Sequence, residues 1–312
     1  MPTHVLVTGG AGYLGSILTE HLLDAGYRVT VLDNLLYREG SLFHLCAHPE
    51  FNFIRGDARD EATLREALAP ADAVIPLAAI VGAPACDRDP GLAESTNLGA
   101  IQLLNRLRSP RQLVVYPTTN SGYGTQTGEV YCTEETPLQP ISLYGRTKAD
   151  AESELLNSPN TITLRLATVF GLSPRLRLDL LVNHFVYAAL MDRYLVIFEK
   201  DFKRNYIHIR DVAEVFLHCL SHAAAMLGRP YNAGLDAANL SKAELALKIK
   251  AHVPNFYIHF AEFGADPDKR NYVVSNQRLR EAGFEARRSL DDGIRELLKG
   301  YAMLGRQPFK NV

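Results

Sequence analysis

The sequence predicts an α/β fold built on a doubly wound parallel sheet, with a smaller, discontinuous C-terminal α/β lobe. Three observations carry that prediction. Apolar runs of strand length recur at 4–8, 28–32, 51–55, 72–79, 113–118 and 161–169. Helical patterns with apolar residues three and four apart occupy 13–25, 60–69, 92–108 and 142–157, and such alternation marks a parallel sheet covered by helices. After about residue 170 the rhythm breaks into shorter elements richer in Pro, Arg and aromatic residues.

The first strand, His4-Val5-Leu6-Val7, runs straight into Thr8-Gly9-Gly10-Ala11-Gly12-Tyr13-Leu14-Gly15 and then into the helical pattern Ser16–Leu23. A buried strand, a glycine turn and a helix N-terminus are the parts of a dinucleotide pyrophosphate site, the Rossmann arrangement. Gly9 permits the tight turn, Gly12 lets backbone N–H groups approach phosphate, and Gly15 allows the helix to pack closely on the strand. The second strand, Arg28–Leu32, ends on Asp33, followed by Asn34. A carboxylate there accepts hydrogen bonds from both adenosine ribose hydroxyls and repels a 2′-phosphate, so NAD is expected rather than NADP. The third run ends on Asp57-Ala58, where Asp57 is placed to take the adenine amino group. Leu77-Ala78-Ala79 and Thr118-Thr119 close the fourth and fifth runs. Right-handed crossovers would bring all these strand ends to one edge of the sheet, and the cofactor is expected along it.

The next helical pattern carries Tyr144-Gly145-Arg146-Thr147-Lys148, a phenol and an amine at i and i+4 and therefore on one face. A phenol near pKa 10 is a poor base at neutral pH, but a neighbouring ammonium and a positive nicotinamide ring both favour phenolate. Tyr144 is then the expected base for a substrate hydroxyl, with Lys148 its helper and a ligand of the nicotinamide ribose. Thr119, at the strand end Tyr116-Pro117-Thr118-Thr119-Asn120, offers a hydroxyl to orient the reacting oxygen, or serves its own turn. Further on, Tyr206–Ile209 reads as a strand and 211–226 as a helix returning to the nucleotide domain. Ser241 with Glu244, and Ser289 with Asp292, are helix starts. The expected domains are 1–170, with 205–230 returning to it, for NAD, and an interleaved substrate-binding lobe over 171–312.

The glycine turn, Leu77-Ala78-Ala79, Thr118–Gly124, Tyr144–Lys148 and Arg204-Asn205-Tyr206-Ile207-His208-Ile209-Arg210-Asp211-Val212 together resemble the extended short-chain dehydrogenase/reductases that act on nucleotide sugars. That resemblance implies Thr119, Tyr144 and Lys148 as the catalytic set. It implies cofactor contacts from Gly9, Gly12, Tyr13, Leu14, Gly15, Asp33, Asn34, Asp57, Ala58, Leu77, Ala78 and Ala79, with Tyr144 and Lys148. Asn97 matches a structural Asn that kinks or wets the neighbouring helix and counts with the cofactor set, while Asn120, Ser121, Asn183, Arg204 and Arg270 count with the substrate. Arg204 and Arg270 look like clamps on a substrate diphosphate, since a guanidinium fork bonds phosphate bidentately.

One departure narrows the chemistry. Relatives that eliminate water across C4–C6 of a hexose carry an Asp-Glu pair after the hydroxyl residue, and here those positions are Asn120 and Ser121. An amide and an alcohol do not transfer protons near neutral pH, which disfavours dehydration. The stretches Ile75–Cys86, Tyr116–Gly124 and Arg165–Asn183 further resemble a subgroup typified by bacterial GDP-manno-heptose 4-dehydrogenase, which serves synthesis of modified heptoses for capsule polysaccharide. The match implies C4 oxidation of a GDP-linked heptose. A nucleotide-sugar 4-epimerase would use the same residues, and a non-catalytic NAD-binding relative is the third reading.

Composition excludes other classes. A formal net charge of −2 gives no basic field for nucleic acid or acidic lipid, and 47% hydrophobic residues support a sizeable core without any run of membrane-spanning length. The first strand begins within a few residues of Met1, so no secretory segment is expected and the cytoplasm is the expected compartment. Cys46, Cys86, Cys132 and Cys219 lack metal-ligand spacing, and neither metal nor disulfide framework is expected. The resemblance implies a homodimer paired through 92–108 and 142–157; apolar Leu98, Ile101, Leu104, Leu155 and Leu156 fit that interface or the monomer core equally.

Overall fold

The computed structural model describes residues 3–37, 40–126, 131–262 and 270–304. Seven parallel strands form the central sheet: β1 (His4–Thr8), β2 (Arg28–Asp33), β3 (Phe51–Arg55), β4 (Ala73–Pro76), β5 (Leu113–Thr119), β6 (Thr161–Leu166) and β7 (Arg229–Ala233). Their order is β7-β6-β5-β4-β1-β2-β3, so chain direction across the sheet reverses beside β1. Ligands of open parallel sheets sit at that switch point, beyond the carboxyl ends. Helices Tyr13–Asp24, Glu61–Leu68, Ala100–Leu107, Leu143–Leu156 and Ile209–Ser221 flank the sheet.

Strands β1 and β4 are buried along their whole length, which is why they read as continuous apolar runs and not as alternation. Ile17, Leu18 and Leu22 of the Tyr13–Asp24 helix share one core with Val212, Val215 and Phe216 of the Ile209–Ser221 helix. A second core gathers Phe170, Val182, Val186, Tyr206, Leu245, Ile249, Ile294 and Leu297. Both expected helix starts are present, and each is a capping box, Ser241/Glu244 and Ser289/Asp292. Among the described residues no helix is long and apolar enough to cross a membrane.

Four expectations need correction. The run 161–169 divides at Ala167: β6 stays in the central sheet, while Thr168–Phe170 pairs with Lys203–His208 in a separate three-stranded sheet. Strand β7 was not foreseen, because Arg229-Pro230-Tyr231-Asn232-Ala233 has no apolar run; it pairs with β6 alone, and an edge strand tolerates the proline. The helix expected over 92–108 is three pieces, Pro90–Glu94, a wider π turn at Ser95–Gly99, and Ala100–Leu107. The helix 211–226 likewise divides into Ile209–Ser221 and Ala223–Met226.

Ile101, Leu104 and Leu155 are 3%, 2% and 0% exposed within the single chain, so these three serve its own core. Leu98 and Leu156 are half-buried.

Candidate active site

The glycine turn owes its shape to two of its glycines. Gly9 adopts φ +72°, and a Cβ there would lie 2.5 Å from the Ala78 nitrogen, so the turn and the 77–79 segment touch through bare backbone. A Cβ on Gly15 would meet the Gly9 carbonyl at 2.5 Å. The close approach at Gly15 is therefore helix against turn, where the sequence suggested helix against strand. The Tyr13–Asp24 helix has no side-chain cap and no acidic residue in its first turn. Its leading N–H groups, Tyr13 and Leu14 among them, are left to an anion.

Asp33 closes this site from β2. Its Oδ2 accepts from the Ala11 N–H at 2.9 Å and its Oδ1 from the Leu35 N–H at 2.8 Å, joining the glycine turn to the following loop. Burial raises its carboxyl above the ordinary range, opposed by those two bonds. A carboxylate has acceptor sites beyond these two, which suits a ribose diol. Asp57 is held by partners within the chain. Arg59 grips both its oxygens, Nε at 2.9 Å and Nη2 at 2.7 Å, and Asn34 donates to Oδ2. Those bonds hold the Asp57 carboxyl at about 2. A small cleft lies among Thr8, Ala58, Ala78, Ala100 and Ile101. Leu77 is fixed beside it by its N–H to the Thr8 carbonyl, and Ala79 follows.

Asn97 and Asn183 prove to be internal struts. The Asn97 amide accepts from the Ile80 N–H at 2.8 Å and donates to the Ile80 carbonyl and to Thr147 Oγ1, tying the loop after β4 to the Leu143–Leu156 helix through the π turn. The Asn183 amide accepts from the Gly171 N–H and donates to the Tyr13 hydroxyl and to the Gly171 and Arg177 carbonyls. Both side chains are 1% exposed. Tyr13 adds its hydroxyl to the Gly171 carbonyl at 2.7 Å, and Ser173 bonds Ser16 and the Tyr13 carbonyl. The 171–173 loop is thereby fastened to the start of the helix at the glycine turn.

Ser142 caps the Leu143–Leu156 helix by accepting from the Gly145 N–H, and this fixes Tyr144 and Lys148 one turn apart facing β5. Tyr144 is half-buried and Lys148 is 4% exposed. Burial pushes the Tyr144 phenol up to about 12, opposed by the charges of Arg177 and Arg270. Burial draws the Lys148 ammonium down to about 7, opposed by Glu152. Without cofactor, burial outweighs the cations near the phenol, Arg177 and Arg270 among them, and Lys148 is itself drawn towards its neutral form. The positive ring of a bound cofactor would supply the missing stabilisation of phenolate.

Thr119, Ser121 and Arg270 form a connected group. The Thr119 hydroxyl donates to Ser121 Oγ and accepts from the Ser121 N–H, capping the turn Asn120–Tyr123, and Arg270 donates to Ser121 Oγ. Asn120 is 0% exposed, and neither atom of its amide has a hydrogen-bond partner among the described residues. Arg204 is 3% exposed, with its guanidinium over the Tyr272 ring and one nitrogen on the Lys203 carbonyl. The adjoining Asp268 and Lys269 lie outside the described residues.

The sequence reading missed three neighbours. Arg177, in a fork with Asp179 at 2.9 and 2.5 Å, acts on both Tyr13 and Tyr144. Glu152 continues the spacing of Tyr144 and Lys148 by four more residues, a signal that was available, and is 2% exposed against Arg165. Tyr116 lies under the lysine.

A family model described as NAD dependent epimerase/dehydratase family matches residues 5–234. A low-salt glycan biosynthesis protein of Haloferax volcanii is 30% identical over 315 residues, covering 95% of this chain and 98% of the relative. A dTDP-glucose 4,6-dehydratase of Streptomyces griseus is 29% identical, covering 96% and 94%. Among solved structures, a Thermus thermophilus UDP-glucose 4-epimerase in complex with NAD is 25% identical, with TM-score 0.81 over 96% of this chain and 99% of that one.

Proposed function

The chain belongs to the NAD dependent epimerase/dehydratase family, and from that premise we propose that it oxidises C4 of a nucleotide-diphosphate sugar, with a GDP-linked D-glycero-D-manno-heptose the favoured substrate. The observation that carries the reading is the joint placement of Tyr144, Lys148 and Thr119 at the carboxyl edge of the sheet, beside the glycine turn and Asp33. NAD held by the glycine turn and Asp33 would supply the hydride acceptor for C4 and, for an epimerase, the hydride returned to the opposite face. Tyr144 Oη takes the hydroxyl proton. Thr119 releases its turn bond to Ser121 to orient that hydroxyl, and Lys148 holds the nicotinamide ribose. Asp33 selects NAD by its claim on the ribose diol, and the helix N-terminus at Tyr13 and Leu14 takes the pyrophosphate.

Arg204 and Arg270 bind the substrate diphosphate, which draws Arg270 off Ser121. Asn120 and Ser121 face the sugar in place of an acid–base pair, so the keto product keeps its water. Residues 1–170 with 205–230 make the NAD-binding part and the remainder of 171–312 the substrate lobe. Leu98 and Leu156 contribute to a homodimer interface.

A 4-epimerase is the second reading, favoured by the bonds that fasten the 171–173 loop over the helix start, since a fastened loop retains cofactor through a full cycle. The test of substrate class is a panel of GDP-, UDP- and dTDP-linked sugars followed by NADH absorbance. The strongest signal is expected with GDP-linked manno-heptose, and a signal confined to UDP-hexoses would overturn the GDP assignment.

A further inference from the structure

Tyr116 sits in the middle of β5 and is 0% exposed; its hydroxyl is buried with no hydrogen-bond partner among the described residues. The Lys148 Nζ lies over its face, 4.0 Å from the ring centroid. Among the described residues that nitrogen has no hydrogen-bond acceptor, and it rests on the aromatic face. We propose that Tyr116 is a positioning residue of the reaction, its ring face holding the Lys148 ammonium where it serves Tyr144 and the nicotinamide ribose. This rests on the reading of Lys148 as the helper of Tyr144.

The surroundings explain why such a contact matters. The ionisable groups about Lys148 are Tyr144 and Glu152 on its own helix, Tyr116 on β5 and Arg165 on β6, while Cys86, Arg177, Arg270 and Tyr272 act on Tyr144. Glu152 is the natural counter-ion, but Arg165 holds both its oxygens, Nε at 2.9 and 3.3 Å and Nη2 at 2.6 Å. The Glu152 charge favours the protonated lysine, but both its oxygens are taken by Arg165 and burial outweighs it. Burial brings the lysine to about 7, the region where a small added stabilisation decides whether it is charged. An aromatic quadrupole supplies that stabilisation without adding a charge, and burial holds the Tyr116 phenol well above its ordinary value, so the ring stays neutral. The idle hydroxyl means that the ring, and not the phenol oxygen, performs the task.

The experiment follows NADH binding by its own fluorescence between about pH 6 and about pH 9, the window in which Lys148 loses its proton. In the parent protein, affinity should fall as pH rises through that titration. Lys148→Met should flatten the dependence, Tyr116→Phe should reproduce the parent, and Tyr116→Leu should move the fall to lower pH by about one unit, the size of a buried cation–π contact. Should Tyr116→Leu not fold, a series of progressively fluorinated phenylalanines at 116 weakens the ring face without changing the packing, and the fall should move step by step with fluorine content. A persistent fall in Lys148→Met would refute the assignment of Lys148 itself. A flat Lys148→Met alongside an unmoved fall in the leucine and fluorinated proteins would overturn the role of Tyr116 alone.

Discussion

Tyr144 and Lys148 are displaced from their ordinary ionisation in opposite directions by one cause, burial against the sheet. The phenol at about 12 holds its proton at neutral pH, and the lysine at about 7 holds its own only in part. Replacing Tyr144 by Phe should leave NAD and sugar-nucleotide binding intact, measured by titration, and lower single-turnover oxidation by roughly 10²–10⁴-fold. Lys148 also bears on stability. Between about 7 and 10.5 the unfolded chain keeps a proton on this lysine that the folded chain has lost, so stability rises with pH across that window and the penalty is complete below it. Lys148→Met should therefore stabilise the protein by a few kcal/mol at neutral pH, and its advantage in thermal denaturation should shrink as pH approaches the upper limit. Equal stability of the two proteins at pH 7 would contradict the burial account of Lys148. With the role proposed for Lys148, the position would trade fold stability for function.

At the scale of elements, what the sequence disclosed depended on how each side chain reports its surroundings. β1, β2, β5 and the glycine turn are legible because full burial writes itself as Val, Leu and Ile, and because Gly9 and Gly15 have no room for a Cβ. β7 is illegible because its polar Asn232 is buried through bonds from Tyr123 and to the Cys132 and Ser275 carbonyls, contacts far away in the chain. The π turn at Ser95–Gly99 is likewise fixed by a tertiary partner, the Ile80 backbone on Asn97, and leaves no local pattern. The same distinction separates the site residues: Tyr144 and Lys148 follow from helical spacing, whereas the engagement of Asp57 by Arg59 and of Asn183 by Gly171 needed three dimensions. Two element-scale substitutions test the geometry. Gly15→Ala should cost roughly 1–3 kcal/mol in chemical denaturation, since its Cβ meets backbone that cannot give way easily, and should weaken NAD. Asn97→Ala should cost about 1–3 kcal/mol by stranding the buried Ile80 amide groups. Free tolerance of either change would show that the turn or the strut is not built as described.

Over the whole molecule, the reversal of strand order beside β1 gathers the glycine turn, Asp33, Ala78 and Thr119 along one edge, and the return of 209–233 to the same core locks that edge in place. The Tyr13–Gly171 and Ser16–Ser173 bonds then join the start of the chain to the loop from which the second core begins. Cofactor selection is a property of that assembled edge. Asp33→Ala should weaken NAD and narrow its preference over NADP, measured by paired titrations, and tighter binding of NADP by the unaltered protein would refute the role of Asp33. The proposed reaction oxidises C4 without loss of water, because Asn120 and Ser121 occupy the positions where dehydrating relatives are expected to carry an acid–base pair. The direct measurement mixes stoichiometric protein with GDP-D-glycero-D-manno-heptose, follows NADH absorbance, and weighs the released sugar nucleotide. The account predicts NADH formed in step with a product two hydrogens lighter than the substrate, and a product lighter by one water would contradict it.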